Sequence, residues 1–298
     1  MKTKDAAAGK WRSVLPQVGV PKEVLDGRHH PCPATGQGED RFRFADRNGS
    51  GSYFCDCSRG DKGGIGLIMC CRGLSFAEAA AEVDKVVRTA TEEPPKERRD
   101  PAILLRKTYK RSEPAGFAVR RYLKERGLEC PTSIRQARLT YWDGGNSSGM
   151  FDAMVCVLHD VKGKAQSLHV TYLQGTEKAE VTAPRKVLPP IDTITGSAIR
   201  LYPAGKVLGV AEGVETAIAA HMMFGHPVWA TANAHGIETF QPPEGVERVI
   251  VYGDTDESYT GQAAAYALAK RLARSGIACD VELPAVGDWN DVLIEGVS

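Results

Sequence analysis

Up to about residue 90 the polar background is broken by short alternating pieces, Arg41-Phe42-Arg43-Phe44 and Ser52-Tyr53-Phe54-Cys55. Period-two alternation predicts two small strands, and Asp46-Arg47-Asn48-Gly49 between them is a turn signal. Leu74 to Arg88 shifts to helical spacing, with Ser75 as its N-cap and Glu78 three residues on. The stretch TATEEPPKERRDP, Thr89 to Pro101, breaks the pattern with prolines and mixed charge and reads as a linker. Beyond it, Ala115 to Arg126 spaces as a helix closed by Gly127. Met154–Leu158, Gln166–Leu173 and Ala198–Leu201 read as strands, with Asp160–Lys164 as a hairpin-type turn. From Leu201 the pattern alternates: strand Val207–Ala211, helix Glu215–Phe224, strand Val228–Thr231, strand Val249–Tyr252, helix Gly261–Arg274, strand Ala278–Leu283. Short apolar strands alternating with helices predict a small, mainly parallel α/β sheet. The expected fold class is therefore α/β (α+β overall). Its units are 1–90, a linker at 91–101, a basic α/β unit at 102–200, and 201–298.

Composition narrows this little. The 298 residues are 42% apolar and 25% charged, ordinary for a soluble globular chain. No run approaches the ~18–20 apolar residues that span a bilayer. Met1 to Trp11 is polar and lacks an apolar core, so a cytoplasmic location without membrane contact is expected. Charge says more through its distribution than through the net value of +1. Lys96 to Arg138 holds thirteen Lys and Arg, whereas the last ninety residues run acidic. Either the basic middle follows a phosphate backbone, or it is the solvated face of helices. Four of the eight cysteines gather at Cys55, Cys57, Cys70 and Cys71, with Cys32 upstream, which points to metal more than to packing. Cys70 and Cys71 follow Ile65–Met69, and packing suits them better.

Acidic groups follow three predicted strands in succession. Val207–Ala211 runs into Glu212-Gly213, Val249–Tyr252 into Gly253-Asp254-Thr255-Asp256, and the last strand into Gly287-Asp288-Trp289-Asn290-Asp291. Ligands of open α/β sheets sit beyond the carboxyl ends of strands, so all three can meet on one edge. Clustered carboxylates repel unless a cation offsets them. An Asp-x-Asp pair offers two oxygen ligands of the kind Mg²⁺ takes, and Glu212 can serve as a general base or as a further ligand.

These three motifs, Ala211-Glu212-Gly213-Val214-Glu215-Thr216-Ala217, Tyr252-Gly253-Asp254-Thr255-Asp256 and Gly287-Asp288-Trp289-Asn290-Asp291-Val292-Leu293, closely resemble the Toprim motifs of phage- and plasmid-type DNA primases. The resemblance implies a Toprim fold over about the last hundred residues. It implies Glu212 as catalytic acid/base, Asp254 and Asp256 as Mg²⁺ ligands, and Asp288 or Asp291, with Asp288 favoured, as a further metal-binding acid. Phe151–Val155, Leu168–Leu173 and Pro184-Arg185-Lys186 resemble the segment that precedes Toprim in the same family, which helps to hold template and nucleotide. Arg185, Lys186 and Arg200 are then candidates to grip phosphate, or are surface charge. His29 to Cys57 resembles the zinc ribbon of these primases, but Thr35 and Ser58 stand where two of the cysteines belong. The set His30, Cys32, Cys55 and Cys57 restores four ligands of accepted type for Zn²⁺, with His29, Cys70 and Cys71 in reserve. The alternative is a ribbon without metal, packed around Phe42, Phe44, Tyr53 and Phe54. In the family the ribbon contacts single-stranded template; here Arg41 and Arg43 are the candidates, with the phenylalanines turned into the core.

The expectation is thus a DNA primase. It would join NTPs into short primers on single-stranded DNA with Mg²⁺ or Mn²⁺, in phage, plasmid or mobile-element replication. No G-x-x-x-x-G-K-S/T motif occurs in these residues, so a separately encoded helicase or initiator is the expected partner. The other readings are a Toprim nuclease and a non-catalytic accessory protein that binds single-stranded DNA.

Overall fold

The computed structural model describes residues 3–38, 41–55, 63–90, 100–143, 146–255 and 257–296. The chain divides into two compact units, Met1–Arg98 with Gly144–Asn146, and Arg99–Asp143 with Ser147–Ser298.

The first unit contains α1 (Thr3–Ala6), α2 (Trp11–Gln17), β1 (His29–His30), β2 (Phe42–Phe44), β3 (Tyr53–Cys55), α3 (Gly63–Arg72) and α4 (Phe76–Val86). The strands form an antiparallel sheet in the order β1-β2-β3, with Phe42 opposite both His30 and Cys55. Alternation along β2 sends Phe42 and Phe44 into the core and leaves Arg43 exposed, as its period requires. Trp11, Leu15, Leu67 and Ile68 complete that core. The N-cap expected for α4 is present: the Glu78 amide donates to Ser75 Oγ, and the Ser75 amide donates to Glu78 Oε2 at 2.9 Å. Helix α3 was not visible in the residue pattern, because three of its first four residues are glycine. Packing explains two of them: a Cβ on Gly64 would lie 2.1 Å from the Trp11 ring, and one on Gly63 2.6 Å from the Ser50 carbonyl oxygen. Cys70 and Cys71 lie on this helix, half-buried.

The second unit holds α5 (Pro101–Arg111), β4 (Glu113–Pro114), α6 (Phe117–Lys124), β5 (Arg135–Asp143), β6 (Asn146–His159), β7 (Ala165–Gln174), β8 (Glu177–Lys178), β9 (Arg185–Val187) and β10 (Ala198–Ile199). It continues with β11 (Val207–Ala211), α7 (Val214–Phe224), β12 (Val228–Ala230), α8 (Ala234–Thr239), β13 (Arg248–Tyr252), α9 (Thr260–Arg274), β14 (Ala278–Glu282) and α10 (Trp289–Gly296). Its strands join in one sheet, ordered β14-β13-β11-β12-β10-β6-β5-β4, with β7 pairing β6, β8 and β9. Strands β11 to β14 are parallel; β10 runs antiparallel to both β12 and β6. The unit boundary expected at residue 200 thus falls beside a strand that ties the basic part to the parallel part. Strands β11, β12 and β13 are covered on both faces, which is why they read as apolar runs, whereas edge strand β14 alternates between exposed and half-buried. Leu208, Val210, Val249 and Val251 meet Ile237, Ala264 and Leu268 from α8 and α9. Ala211 and Tyr252 meet Ala217, Ile218 and Trp289 from α7 and α10. Among the described residues no single helix is long and apolar enough to cross a membrane.

Candidate active site

Parallel register brings the acidic motifs to one edge. Ala211 pairs with Tyr252, so Glu212 and Gly253 leave their neighbouring strands side by side. Asp254 follows directly. Thr255 then bridges to Gly287: its amide donates to the Gly287 carbonyl at 2.9 Å, and the Gly287 amide donates back at 3.2 Å. The second and third motifs are therefore fastened together. The Trp289 ring packs edge-on against Tyr252 and Phe224, at 5.5 and 5.4 Å between centroids, and pins α10 to the sheet end. Asp288 caps that helix: its Oδ1 accepts from the amides of Asn290 and Asp291, at 2.7 and 3.1 Å. Asp291 Oδ2 accepts from the Asp288 amide. Asp256 lies outside the described residues.

Glu212 and Gly213 line a cavity of about 150 Å³ with His169, Arg185, Lys186, Val187, Val214, Glu215 and Ala232. Ala232, at φ 70° in the left-handed region, donates its amide to the Glu212 carbonyl at 2.9 Å. Sequence reasoning named Arg185 and Lys186 on this wall but passed over Glu215, Tyr122 and His169. Glu215 lies in the first turn of α7, 6% exposed. It accepts from the Tyr122 hydroxyl at 2.6 Å and faces Lys178 Nζ at 3.5 Å. Burial works to raise its pKa, but the Lys178 charge, the Tyr122 hydrogen bond and nearby Arg185 outweigh it and hold the carboxyl below its ordinary range. Burial, with the Glu215 charge, pushes the Tyr122 hydroxyl up. His169 is pushed down to about 4 by burial, with Glu215 opposing and Arg185 and Lys178 reinforcing the shift. A charged residue inside the otherwise apolar run of α7 was the signal available for Glu215.

The basic candidates separate. Arg185 is exposed on the cavity wall. Lys186 donates to the Trp142 carbonyl at 2.5 Å and lies 3.8 Å from the Tyr141 ring centre. Arg200 donates to the carbonyls of Asp160 and Val161, at 2.7 and 3.0 Å, and stacks over Trp229, so it braces the β6–β7 turn. In the first unit Arg43 donates to the Gly27 carbonyl at 3.0 Å, and Arg41 is half-buried just before β2.

The zinc set assembles only in part. Cys32 and Cys55 are both buried, and Cys32 sits in a tight turn whose carbonyl accepts from the Gly36 amide at 2.7 Å. His30 turns aside: its Nε2 meets Asp26 Oδ1 at 2.7 Å, an attraction between an imidazole and a carboxylate four residues away. Among the described residues no three His, Cys, Asp or Glu side chains gather as metal ligands, so His30 does not join the two cysteines. Cys57 lies outside the described residues.

Residues 207–297 match the Toprim domain, residues 27–64 the zinc-binding domain of primase-helicase, and residues 98–201 a domain of unknown function (DUF7146). Among solved structures, the primase fragment of the bacteriophage T7 primase-helicase protein is similar at 17% identity, over 90% of this chain and 95% of that one, with a TM-score of 0.42. A DNA primase domain from Pseudomonas aeruginosa matches at 16% identity over 65% of this chain and 74% of that one, TM-score 0.45. The zinc-binding and RNA polymerase domains of the Aquifex aeolicus primase match at 14% over 89% and 74%, TM-score 0.43. The family matches give the chain the domain set of a primase: a primase-type zinc ribbon towards its N-terminal end and Toprim towards its C-terminal end.

Proposed function

We propose that this chain is a DNA primase that joins nucleoside triphosphates into short primers on single-stranded DNA. One observation carries the reading: Glu212 and Asp254 leave adjacent parallel strands at one edge, beside a cavity walled by Arg185, in a chain that also has a primase-type zinc ribbon. In the reaction the primer 3′-hydroxyl attacks the α-phosphate and pyrophosphate leaves. Glu212 takes the hydroxyl proton, and Arg185 holds phosphate as a planar fork. Carboxylates on one edge are hard oxygen donors that fit Mg²⁺ or Mn²⁺, which Asp254 would hold with Asp256; Asp288 fits only through Oδ2, since Oδ1 caps α10. When bound, that ion neutralises charge gathering on the phosphate.

Structural zinc is the cofactor of the ribbon domain, and Cys32, Cys55 and Cys57 are three of the four ligands we assign to it. Template would run along Arg41, Arg43 and the exposed Phe54, which lies opposite Arg43 in the sheet. A cytoplasmic location, a role in phage, plasmid or mobile-element replication, and a separate helicase or initiator partner complete the proposal. The test incubates the full chain with single-stranded DNA, labelled NTPs and Mg²⁺ or Mn²⁺. Short labelled products are expected, reduced at least ~100-fold in Asp254→Ala and in Glu212→Gln. Strand cutting without synthesis, or products that persist in both variants, would overturn it.

A further inference from the structure

The floor of the cavity beside Glu212 carries a group that the priming chemistry does not use. His169 lines it from β7 and is 4% exposed. Its Nδ1 is enclosed and has no hydrogen-bond partner among the described residues. Interiors hold few such nitrogens, because the group gives up water and gains nothing in return. Two positions along, Thr171 Oγ1 is in the same condition. Alternation puts both on one face of β7, opposite Cys156 and Met154 of β6. One strand face thus buries two uncharged polar groups, of which His169 lines the opening that contains Glu212.

Charge and size indicate what enters. Arg185 stands exposed on the wall, while the Lys186 ammonium is engaged by Trp142 and Tyr141. Phosphate is therefore drawn to the Arg185 side. The imidazole is uncharged at neutral pH, since burial, Arg185 and Lys178 all disfavour its protonation. With Nδ1 enclosed, the ring meets a ligand only through Nε2; a hydroxyl, which both donates and accepts, pairs with that nitrogen in either tautomer, whereas a phosphate pairs only with a donor. About 150 Å³ is the room of roughly five waters at ~30 Å³ each, enough to seat one sugar ring, and the cavity is open to solvent rather than closed.

Resting on the primase reading, we propose that His169 reads the sugar of the incoming nucleotide: it hydrogen-bonds a ribose hydroxyl of a nucleoside triphosphate whose phosphates lie towards Arg185, and so selects ribonucleotides over deoxyribonucleotides.

The test compares kcat/KM for NTPs and dNTPs in priming by the full chain, together with equilibrium binding of ATP and dATP. Wild type should prefer the ribose form. His169→Leu should lose about tenfold on ribonucleotides and stay within about twofold on deoxyribonucleotides, since a site built around a hydroxyl discriminates through that bond. His169→Asn, which keeps a neutral donor and acceptor, should retain part of the preference. A ratio unchanged in His169→Leu, or equal losses on both sugars, overturns the proposal. If His169→Leu does not fold, judged by circular dichroism, His169→Asn decides, and there an unchanged ratio overturns it. Wild type that primes without sugar preference sinks this inference alone; wild type that neither primes nor binds nucleotide sinks the primase reading with it.

Discussion

His169 and Glu215 are both buried beside Lys178 and Arg185, yet the same two cations act on them in opposite senses. They hold Glu215 ionised and help to keep His169 neutral. The consequence for stability follows from the histidine. Its folded value, about 4, lies below the ordinary 6.5, so the unfolded chain takes up the proton first as pH falls. Stability should be undiminished above pH 6.5 and fall continuously from there to about 4, by up to about 3 kcal/mol for a shift of this size. Glu215 adds a loss only at lower pH: its folded pKa is depressed, so its contribution is present above the unfolded value and disappears as pH falls through the folded one. Urea unfolding at pH 7.5, 6 and 5 should therefore show a decline that is much flatter in His169→Asn. An equal decline in the variant would mean that other groups carry it.

Among the elements, α3 sets local propensity directly against packing. In an exposed helix, Gly→Ala gains roughly 1 kcal/mol. At Gly64 the new Cβ would lie 2.1 Å from the Trp11 ring, in a fully buried core. Overpacking of this kind costs about 1–3 kcal/mol or more, so the clash wins. Gly64→Ala should lower the urea midpoint and the melting temperature, whereas Gly73→Ala, just past the helix where nothing stands within 4 Å, should lose only what its φ of 67° costs. If Gly64→Ala proves stabilising, the Trp11 contact is not the reason for the glycine. The same helix shows where sequence reasoning stops. Strands buried on both faces, β11 and β13, announce themselves as apolar runs, and the acids at their ends follow from the run alone. In α3, Gly64 answers to a tryptophan some fifty residues earlier, which no local period reveals. Helix α5 and strand β5 were missed for a different reason: α5 buries only Leu105 and Thr108, and β5 buries Ala137 and Tyr141 without strict alternation. In the site, Glu212 and Asp254 were legible because motif and strand end coincide. Tyr122 was not, because its partner Glu215 lies 93 residues away.

For the whole chain, net charge of +1 conceals an uneven field, and the structure sorts which cations are held by the fold and which stand exposed. Several basic residues of the middle region are committed to the fold. Arg120 donates to the Ala115 carbonyl, Arg135 to Ser112, and Arg126 to Tyr122, Thr176 and Glu177. On α5, by contrast, Arg106, Lys107, Lys110 and Arg111 are exposed and form no ion pair among the described residues. The family match that covers this helix, the domain of unknown function, also supplies Arg185 and His169 to the cavity beside the Toprim glutamate. On the primase reading, one segment would hold a strand by charge and present nucleotide to the acids. If α5 follows the phosphate backbone, affinity for single-stranded DNA must depend on salt through these side chains. Each contact to a phosphate contributes about −0.7 to the slope of log K against log salt. Replacing all four by alanine should make the slope shallower by up to about 3 while leaving primer synthesis on saturating template nearly intact, because none of the four lines the cavity. Fluorescence anisotropy of a labelled oligonucleotide between low and moderate salt measures this. An unchanged slope would return the α5 charges to the simpler role of solvating a helix.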